Sequence, residues 1–271
     1  MIRLNSTHGP PTLGSSTRST SIERYAGGEF TQTSDFVSVE EPLLLVLNGR
    51  PFATLMRTPG QDVALIEGFL FTEGIVGAPE DIVRIEATAH PSSQEMAVEL
   101  AAGCAVPEMD ARASYLSSSC GVCGRASIAQ LMSRIEAVKP MDIGLAFLVG
   151  LIPAFDAAQR DFRLTGGVHA AALFGQGGEL IDLAEDVGRH NALDKLVGAA
   201  FRAGRLPLEG RVLVMSSRAS FDIVQKAAAA GIPAIASMGA ASSLAVDLAR
   251  ACGIALHSFL RPGSVVGFGQ G

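Results

Sequence analysis

Between residues 212 and 259 the chain alternates short apolar runs with helical segments, a pattern few folds accommodate. Val212-Leu213-Val214-Met215 reads as a buried strand, followed by a helix from about Ser220 to Ala230 that stops at Gly231. Ile232 to Ala236 is the next strand, Ala241 to Cys252 the next helix and Ile254 to Phe259 the last strand. Three strands joined through two helices predict a right-handed βαβαβ unit in a parallel sheet. In open α/β sheets ligands gather at the C-terminal ends of strands, so the three junctions there are candidate binding elements. They are Met215-Ser216-Ser217-Arg218-Ala219-Ser220, Ser237-Met238-Gly239-Ala240-Ala241-Ser242 and Phe259-Leu260-Arg261-Pro262-Gly263-Ser264. N-capping by serine explains any one junction. Three together, two of them carrying arginine, point to an anionic ligand such as a nucleotide.

The rest of the chain reads less uniformly. Residues 1 to about 36 are rich in Ser, Thr, Gly and Pro and are expected to form a disordered leader. Phe36-Val37-Ser38-Val39 and Leu43 to Leu47 are strand-like. Asn48-Gly49 fits a tight hairpin turn, and Phe52 to Met56 is its return strand. Thr58 to Asp62 turns into a helix from about Val63 to Glu73, and Ile85 to Ala87 and Met96 to Leu100 add strands. This half is expected to be α+β with antiparallel strands. Helical spacing resumes over Ala126 to Val138 and about Ile143 to Phe162. Val168 to Phe174 and Leu180 to Ala184 then read as strands, and Asn191 to Arg202 as a helix. The expected organisation is a leader at 1–36, an α+β part at 37–135 and an α/β cofactor-binding part at 136–271.

Composition narrows the function classes. A net charge of −6 over 271 residues argues against wholesale nucleic-acid binding. The N-terminus lacks the apolar run of a signal peptide, and Ile143 to Phe155 is too short to span a bilayer. Four cysteines are too few for a secreted disulfide scaffold, so a reducing cytoplasm is the default compartment. Two of them stand in Ser117-Ser118-Ser119-Cys120-Gly121-Val122-Cys123-Gly124, where small polar neighbours favour an accessible loop. Accessible thiols attack disulfides, carry sulfur or bind soft metals. Structural zinc needs four ligands, and Cys104 and Cys252 are isolated. No histidine has Glu two positions on, as a zinc deaminase requires. A thioredoxin-like role remains open. Glu185 to Lys195 (EDVGRHNALDK) is dense in polar groups between a strand and a helix. A solvated helix start accounts for Asp194 and Lys195 better than for the Glu-Asp and Arg-His-Asn cluster. His169, entering a strand after Thr165-Gly166-Gly167, reads first as a structural residue.

Taken in order, these stretches resemble the FdhD family of sulfurtransferases required for formate dehydrogenase activity. The matching residues are Glu41-Pro42, Asn48-Gly49, Thr58-Pro59-Gly60, Gly68-Phe69-Leu70 with Glu73-Gly74, and Ser119 to Gly124. They continue through Thr165 to Ala171, Glu185 to Lys195, Arg218-Ala219-Ser220-Phe221, Lys226 and Phe259-Leu260-Arg261. Ser217, where the family often has Gly, and the Gly-rich tail from Gly263 to Gly271 depart from the pattern. The resemblance implies transfer of persulfide sulfur from a cysteine desulfurase to the molybdenum or tungsten bis-guanine-dinucleotide cofactor, which then enters formate dehydrogenase. It implies Cys120 as the persulfide carrier with Cys123 assisting. It also implies a homodimer and a C-terminal domain like cytidine deaminase without zinc: three layers on a mixed or parallel sheet, after a smaller antiparallel domain. The cofactor is cargo, and neither a resident cofactor nor a metal is expected. Ser216, Arg218, Ser237, Phe259, Leu260, Arg261, Pro262, Gly263, Ser264 and His190 are its expected contacts, with no nucleic-acid or membrane partner. The competing class is a non-catalytic cofactor chaperone whose Cys-x-x-Cys binds metal or is a redox pair.

Overall fold

The structure, a computed structural model, describes residues 15–90, 93–104 and 137–269. A hairpin of β1 (Thr17–Ala26) and β2 (Glu29–Ser38) comes first. Then follow β3 (Glu41–Leu47), β4 (Arg50–Arg57), α1 (Asp62–Thr72), β5 (Ile82–His90) and β6 (Ser93–Leu100). Beyond residue 137 come α2 (Leu145–Gly150), α3 (Ile152–Ala158), α4 (Arg160–Thr165), β7 (His169–Phe174), β8 (Leu180–Asp186) and α5 (Arg189–Arg202). The chain closes with β9 (Val212–Met215), α6 (Phe221–Ala229), β10 (Ala234–Ser237), α7 (Ser243–Cys252), β11 (Ala255–Arg261) and β12 (Ser264–Phe268).

Side-chain alternation on the larger sheet sorts the core into two halves. The six strands lie in the order β12-β11-β10-β9-β7-β8. β9, β10 and β11 run parallel, as the alternation of 212–259 predicts, while β7, β8 and β12 are antiparallel to their neighbours. Leu213, Met215, Ile235 and Leu256 face α5, α6 and α7, meeting Leu193, Leu196, Ile223, Val224 and Leu248. Their neighbours Val212, Val214, Ala234 and Ala236 face Leu148, Leu151, Ile152 and Phe155 of α2 and α3. Strands covered on both faces need continuous apolar runs, which is what residues 212–215 and 234–236 supply.

The smaller sheet has the order β4-β3-β6-β5. It was expected to be antiparallel, yet β3 and β6 pair in parallel at its centre. Two hairpins, β3–β4 and β5–β6, dock side by side, and α1 is the crossover that permits a parallel junction. Asn48 and Gly49, with φ of 47° and 76°, make the first of those hairpins the tight turn that Asn-Gly predicts.

Three expectations are corrected. Residues 17–36 are not a disordered leader but form β1 and most of β2, paired around a Gly27-Gly28 turn with Thr20, Ile22, Tyr25, Phe30, Thr31, Thr33 and Phe36 supplying strand propensity. The helical stretch from Ile143 to Phe162 is broken into α2, α3 and the start of α4, with Gly150 and Pro153 at the first break and Gln159 out of helical geometry at the second. The expected helix Ala126 to Val138 lies outside the described residues up to 136, and Val138 itself sits in the core beside Cys252.

α1 joins the two sheets. It is buried almost all round, with Leu65, Ile66, Phe69 and Leu70 under the smaller sheet. Its other side lies on α5 backbone to backbone. A Cβ on Gly68 would fall 1.9 Å from the Asp194 carbonyl oxygen, and one on Gly198 would fall 1.8 Å from that of Ala64. Among the described residues no helix is long and apolar enough to cross a membrane.

Candidate functional site at the C-terminal strand edge

The strand directions bring the ends of β8, β9, β10 and β11, and the start of β7, to one edge. Asp186 pairs with His169, Met215 with Ala171 and Ser237 with Met215. Beyond these ends the three junctions stay zipped together. Met238 N donates to Met215 O at 2.8 Å, Gly239 N to Ser217 O at 2.9 Å, Ala219 N to Ala240 O at 3.0 Å and Phe259 N to Gly239 O at 3.2 Å. Gly239 allows this closeness, since a Cβ there would lie 2.7 Å from the Arg218 backbone. The N-termini of α6 and α7 therefore open side by side from an ordered rim. Such termini present N–H groups to anions.

Three serines of that rim, Ser242, Ser237 and Ser220, differ in what they do. Ser242 caps α7, accepting from Ala245 N at 3.3 Å, as ordinary N-capping predicts. Ser237 is fully buried and turns its hydroxyl onto Gly239 O at 2.9 Å, so it shapes its loop. Ser220 precedes α6 without capping it, and its Oγ is buried with no hydrogen-bond partner among the described residues. A buried hydroxyl in that state costs roughly 1–3 kcal/mol unless something fills it.

The expected contact residues separate in the same way. Arg218, Phe259 and Arg261 are exposed around the rim. Arg261 is held by Nη1 donating to Met238 O at 2.6 Å and to its own carbonyl neighbour Leu260 O at 2.8 Å. Phe259 takes the left-handed φ of 51° beside a β-bulge between Ser258 and Arg261, which leaves its ring 48% exposed. That backbone is costly for an aromatic residue and is a feature to be explained by use. Leu260 is fully buried with the α2–α3 face of the core, which removes it from any contact surface. Pro262, Gly263 and Ser264 form the exposed turn into β12, with φ of 81° at Gly263.

The polar block from Glu185 to Lys195 divides by direction. Asp186 points inward, fully buried, and accepts from Thr58 N at 3.0 Å, Gly188 N at 2.8 Å, Asn191 Nδ2 at 2.9 Å and Lys195 Nζ at 2.7 Å. Lys195 also donates to Thr58 O at 2.9 Å and Glu185 O at 3.1 Å, and Asn191 to Met56 O at 2.7 Å. These residues are a staple between the larger sheet and the loop after β4. Glu185 caps α4, accepting from Asp161 N and Phe162 N at 2.8 Å each. A second buried staple lies further along α5. Lys226 Nζ reaches Asp194 at 3.0 Å, Glu73 at 3.1 Å and Thr72 Oγ1 at 2.8 Å, with the Phe69 ring at 5.5 Å. Burial alone would push this ammonium down, but Asp194 and Glu73 outweigh it and hold it up at about 12.

Arg189 and His190 belong instead to the strand edge. His190 Nε2 lies 3.3 Å from Asp222 Oδ2, and this hydrogen bond holds the Asp222 carboxyl below the usual range. His169 stands beside Ser216, its Nδ1 3.4 Å from Ser216 Oγ, which also accepts from Ala170 N at 2.9 Å. Burial pushes the His169 imidazole below its usual range, Arg189 adds to this, and the Asp186 carboxylate opposes it in part. Sequence reading left His169 as structural and passed over Asp222. Gly-Gly-x-His at a strand entry, facing the end of β9, was the available signal. Cys120 and Cys123 lie outside the described residues.

The comparisons with known proteins agree with this architecture. The family model described as FdhD/NarQ family matches residues 38–269. A sulfur carrier protein FdhD from Streptomyces avermitilis is 44% identical over 264 residues, covering 93% of this chain and 94% of its own. One from Mycobacterium tuberculosis is 41% identical over 267 residues, covering 93% and 96%. One from Anaeromyxobacter dehalogenans is 47% identical over 245 residues, covering 84% of each. The crystal structure of a candidate formate dehydrogenase accessory protein from Desulfotalea psychrophila superposes with a TM-score of 0.72 at 24% identity, covering 93% of this chain and 96% of that one. With the family's pattern running from the β2–β3 junction to the last strand, the chain belongs to the FdhD/NarQ family.

Proposed function

We propose that this protein is a sulfur carrier for formate dehydrogenase, taking persulfide sulfur from a cysteine desulfurase and passing it to a molybdenum or tungsten bis-guanine-dinucleotide cofactor. The observation that carries the cofactor half is the strand edge: exposed Arg218, Arg261 and Phe259 stand at the strand ends where the α6 and α7 N-termini open, and the buried Ser220 hydroxyl there has no partner among the described residues. Arginines and helix N-termini suit a dinucleotide's phosphates, and an exposed ring suits a flat base. The relatives' shared name, sulfur carrier protein FdhD, supports the sulfur half.

In this reading the Cys120 thiolate attacks the outer sulfur of the donor's persulfide. The donor's S–S bond breaks, its cysteine leaves as thiolate, and Cys120 becomes the persulfide. Attack of the Cys123 thiolate on the Cys120 sulfur then forms a Cys120–Cys123 disulfide and releases the outer sulfur as hydrosulfide. The thiol pair supplies the two electrons, and a cellular dithiol restores it. The protein works in the cytoplasm as a homodimer, holds the cofactor only in passing, and uses a cytidine-deaminase-like fold without its zinc.

Mass spectrometry after incubation with a desulfurase and cysteine tests the reading. One added sulfur on Cys120, absent from Cys120→Ala, is expected, and that variant is expected to lose formate dehydrogenase maturation while still binding cofactor. Full maturation by Cys120→Ala overturns the proposal. No sulfur adduct together with stoichiometric zinc would replace it with a metal-binding chaperone.

A further inference from the structure

The sheet face that packs on α2 and α3 is apolar strand by strand until β11, where His257 stands in line with Val214 and Ala236. His257 is 7% exposed, and its Nδ1 is buried with no hydrogen-bond partner among the described residues. A valine or leucine would fill the position without stranding a polar atom, so the imidazole is a feature to be explained by use. Burial holds it below its usual range, outweighing the pull of the Ile235 and Ala255 carbonyls, and a neutral imidazole offers one nitrogen as an acceptor.

A cavity of about 450 Å³ opens beside this ring. Residues 140–143, on the approach to α2, line it from one side and residues 267–269, at the end of β12, from the other. Both sides are tied down: Val138 N donates to Cys252 O at 2.9 Å, and Arg250 Nε donates to Gly269 O at 3.2 Å. Gly267 is the cross-strand partner of His257, and a Cβ there would fall 3.3 Å from Cδ2 and 3.6 Å from Nε2 of the ring. Lacking that carbon, the glycine leaves the Nε2 edge uncovered on its side. The cavity reaches the start of β11 at Ala255, roughly 20 Å along the strand from Arg261 and at the opposite end of the sheet from the rim of Arg218 and Phe259.

The lining selects among ligands. The volume of about 450 Å³ falls within the roughly 300–1,000 Å³ of small-molecule pockets. Met141, Ile143 and Phe268 supply apolar, polarisable surface suited to the face of a flat ring. The polar side chains are those of His257 and Asp142, and no Lys or Arg is among the described residues that line the cavity. Phosphates and carboxylates find no counter-charge there, whereas N–H donors find an imidazole nitrogen and a carboxylate. We infer that the cavity is a binding site for a neutral or cationic heteroaromatic ring bearing N–H groups, with His257 Nε2 accepting one of them and Asp142 another. This site is separate from the strand edge and stands whether or not that edge holds a dinucleotide.

Isothermal titration calorimetry of the full chain with 2-aminobenzimidazole tests it. About ten non-hydrogen atoms at ordinary ligand efficiency give an expected Kd of roughly 0.1–1 mM. The ring nitrogens of ¹⁵N-labelled His257 are expected to shift as the probe is added. His257→Leu removes the acceptor and Gly267→Ala covers it, and each is expected to raise the Kd about tenfold or more with unchanged circular dichroism. Indole-3-carboxylate, flat but anionic, is expected not to bind. Loading of Cys120 with sulfur is expected to be the same in both variants, so a failure here is distinguishable from a failure of the sulfur-carrier reading. No heat and no His257 shift up to about 10 mM probe overturns the site. Binding that survives both substitutions puts the probe elsewhere and also overturns it. Equal affinity for indole-3-carboxylate overturns the ligand class.

Discussion

At the scale of single residues, the densest polar stretch of this chain serves two purposes that its composition does not separate. Asp186, Asn191 and Lys195 are spent on holding parts of the fold together, while Arg189 and His190 face the strand edge with His169, Ser216 and Asp222. The first group answers to stability measurements. Lys195→Met leaves the buried Asp186 carboxylate without its cation and is expected to cost about 3–5 kcal/mol in urea unfolding. Lys226 gives a pH-dependent counterpart. Its folded pKa, about 12, stands above the ordinary lysine value, so its stabilisation is fully present below the unfolded pKa of roughly 10.4 and is lost as pH rises toward 12. Alkaline unfolding is therefore expected to steepen between those limits, and Lys226→Met is expected to flatten that loss while lowering stability at pH 7. A stability-against-pH series on both proteins checks the sign.

At the scale of elements, the contact that decides the architecture is between α1 and α5. Gly198→Ala places a methyl group 1.8 Å from the Ala64 carbonyl oxygen, which only a shift of one helix can relieve. The expected cost is about 3 kcal/mol or more, read as a fall in the urea midpoint with an unchanged slope. How legible each element was follows from how local its causes are. The strands and helices of 212–259 were readable because apolar runs of four and glycine stops at Gly231 and Gly253 are local signals. The β1–β2 hairpin was not, because strands made of Thr, Ser, Glu and Arg with no buried face look like disordered sequence. The parallel β3–β6 junction escaped because alternation does not encode which hairpin edge meets which.

At the scale of the whole molecule, the candidate site was legible as three junctions but not as one place. The strand directions and the zipper of backbone hydrogen bonds assemble Arg218, Phe259 and Arg261, and no short-range pattern contains those directions. The same holds for the staples: Thr58 and Asp186 are 128 residues apart, and Thr72 and Lys226 are 154 apart.

The glycine-to-glycine crossing of α1 and α5 has a further consequence for how the molecule comes apart. Because the two sheets share that seam and both buried charge clusters, neither can lose its structure while the other keeps its own. Scanning calorimetry on the intact protein is expected to give a single endotherm whose calorimetric and van't Hoff enthalpies agree. A fragment beginning at residue 137 would bare the Asp194 and Lys195 side chains and the apolar flank of α5 to water, and is expected to collect in inclusion bodies.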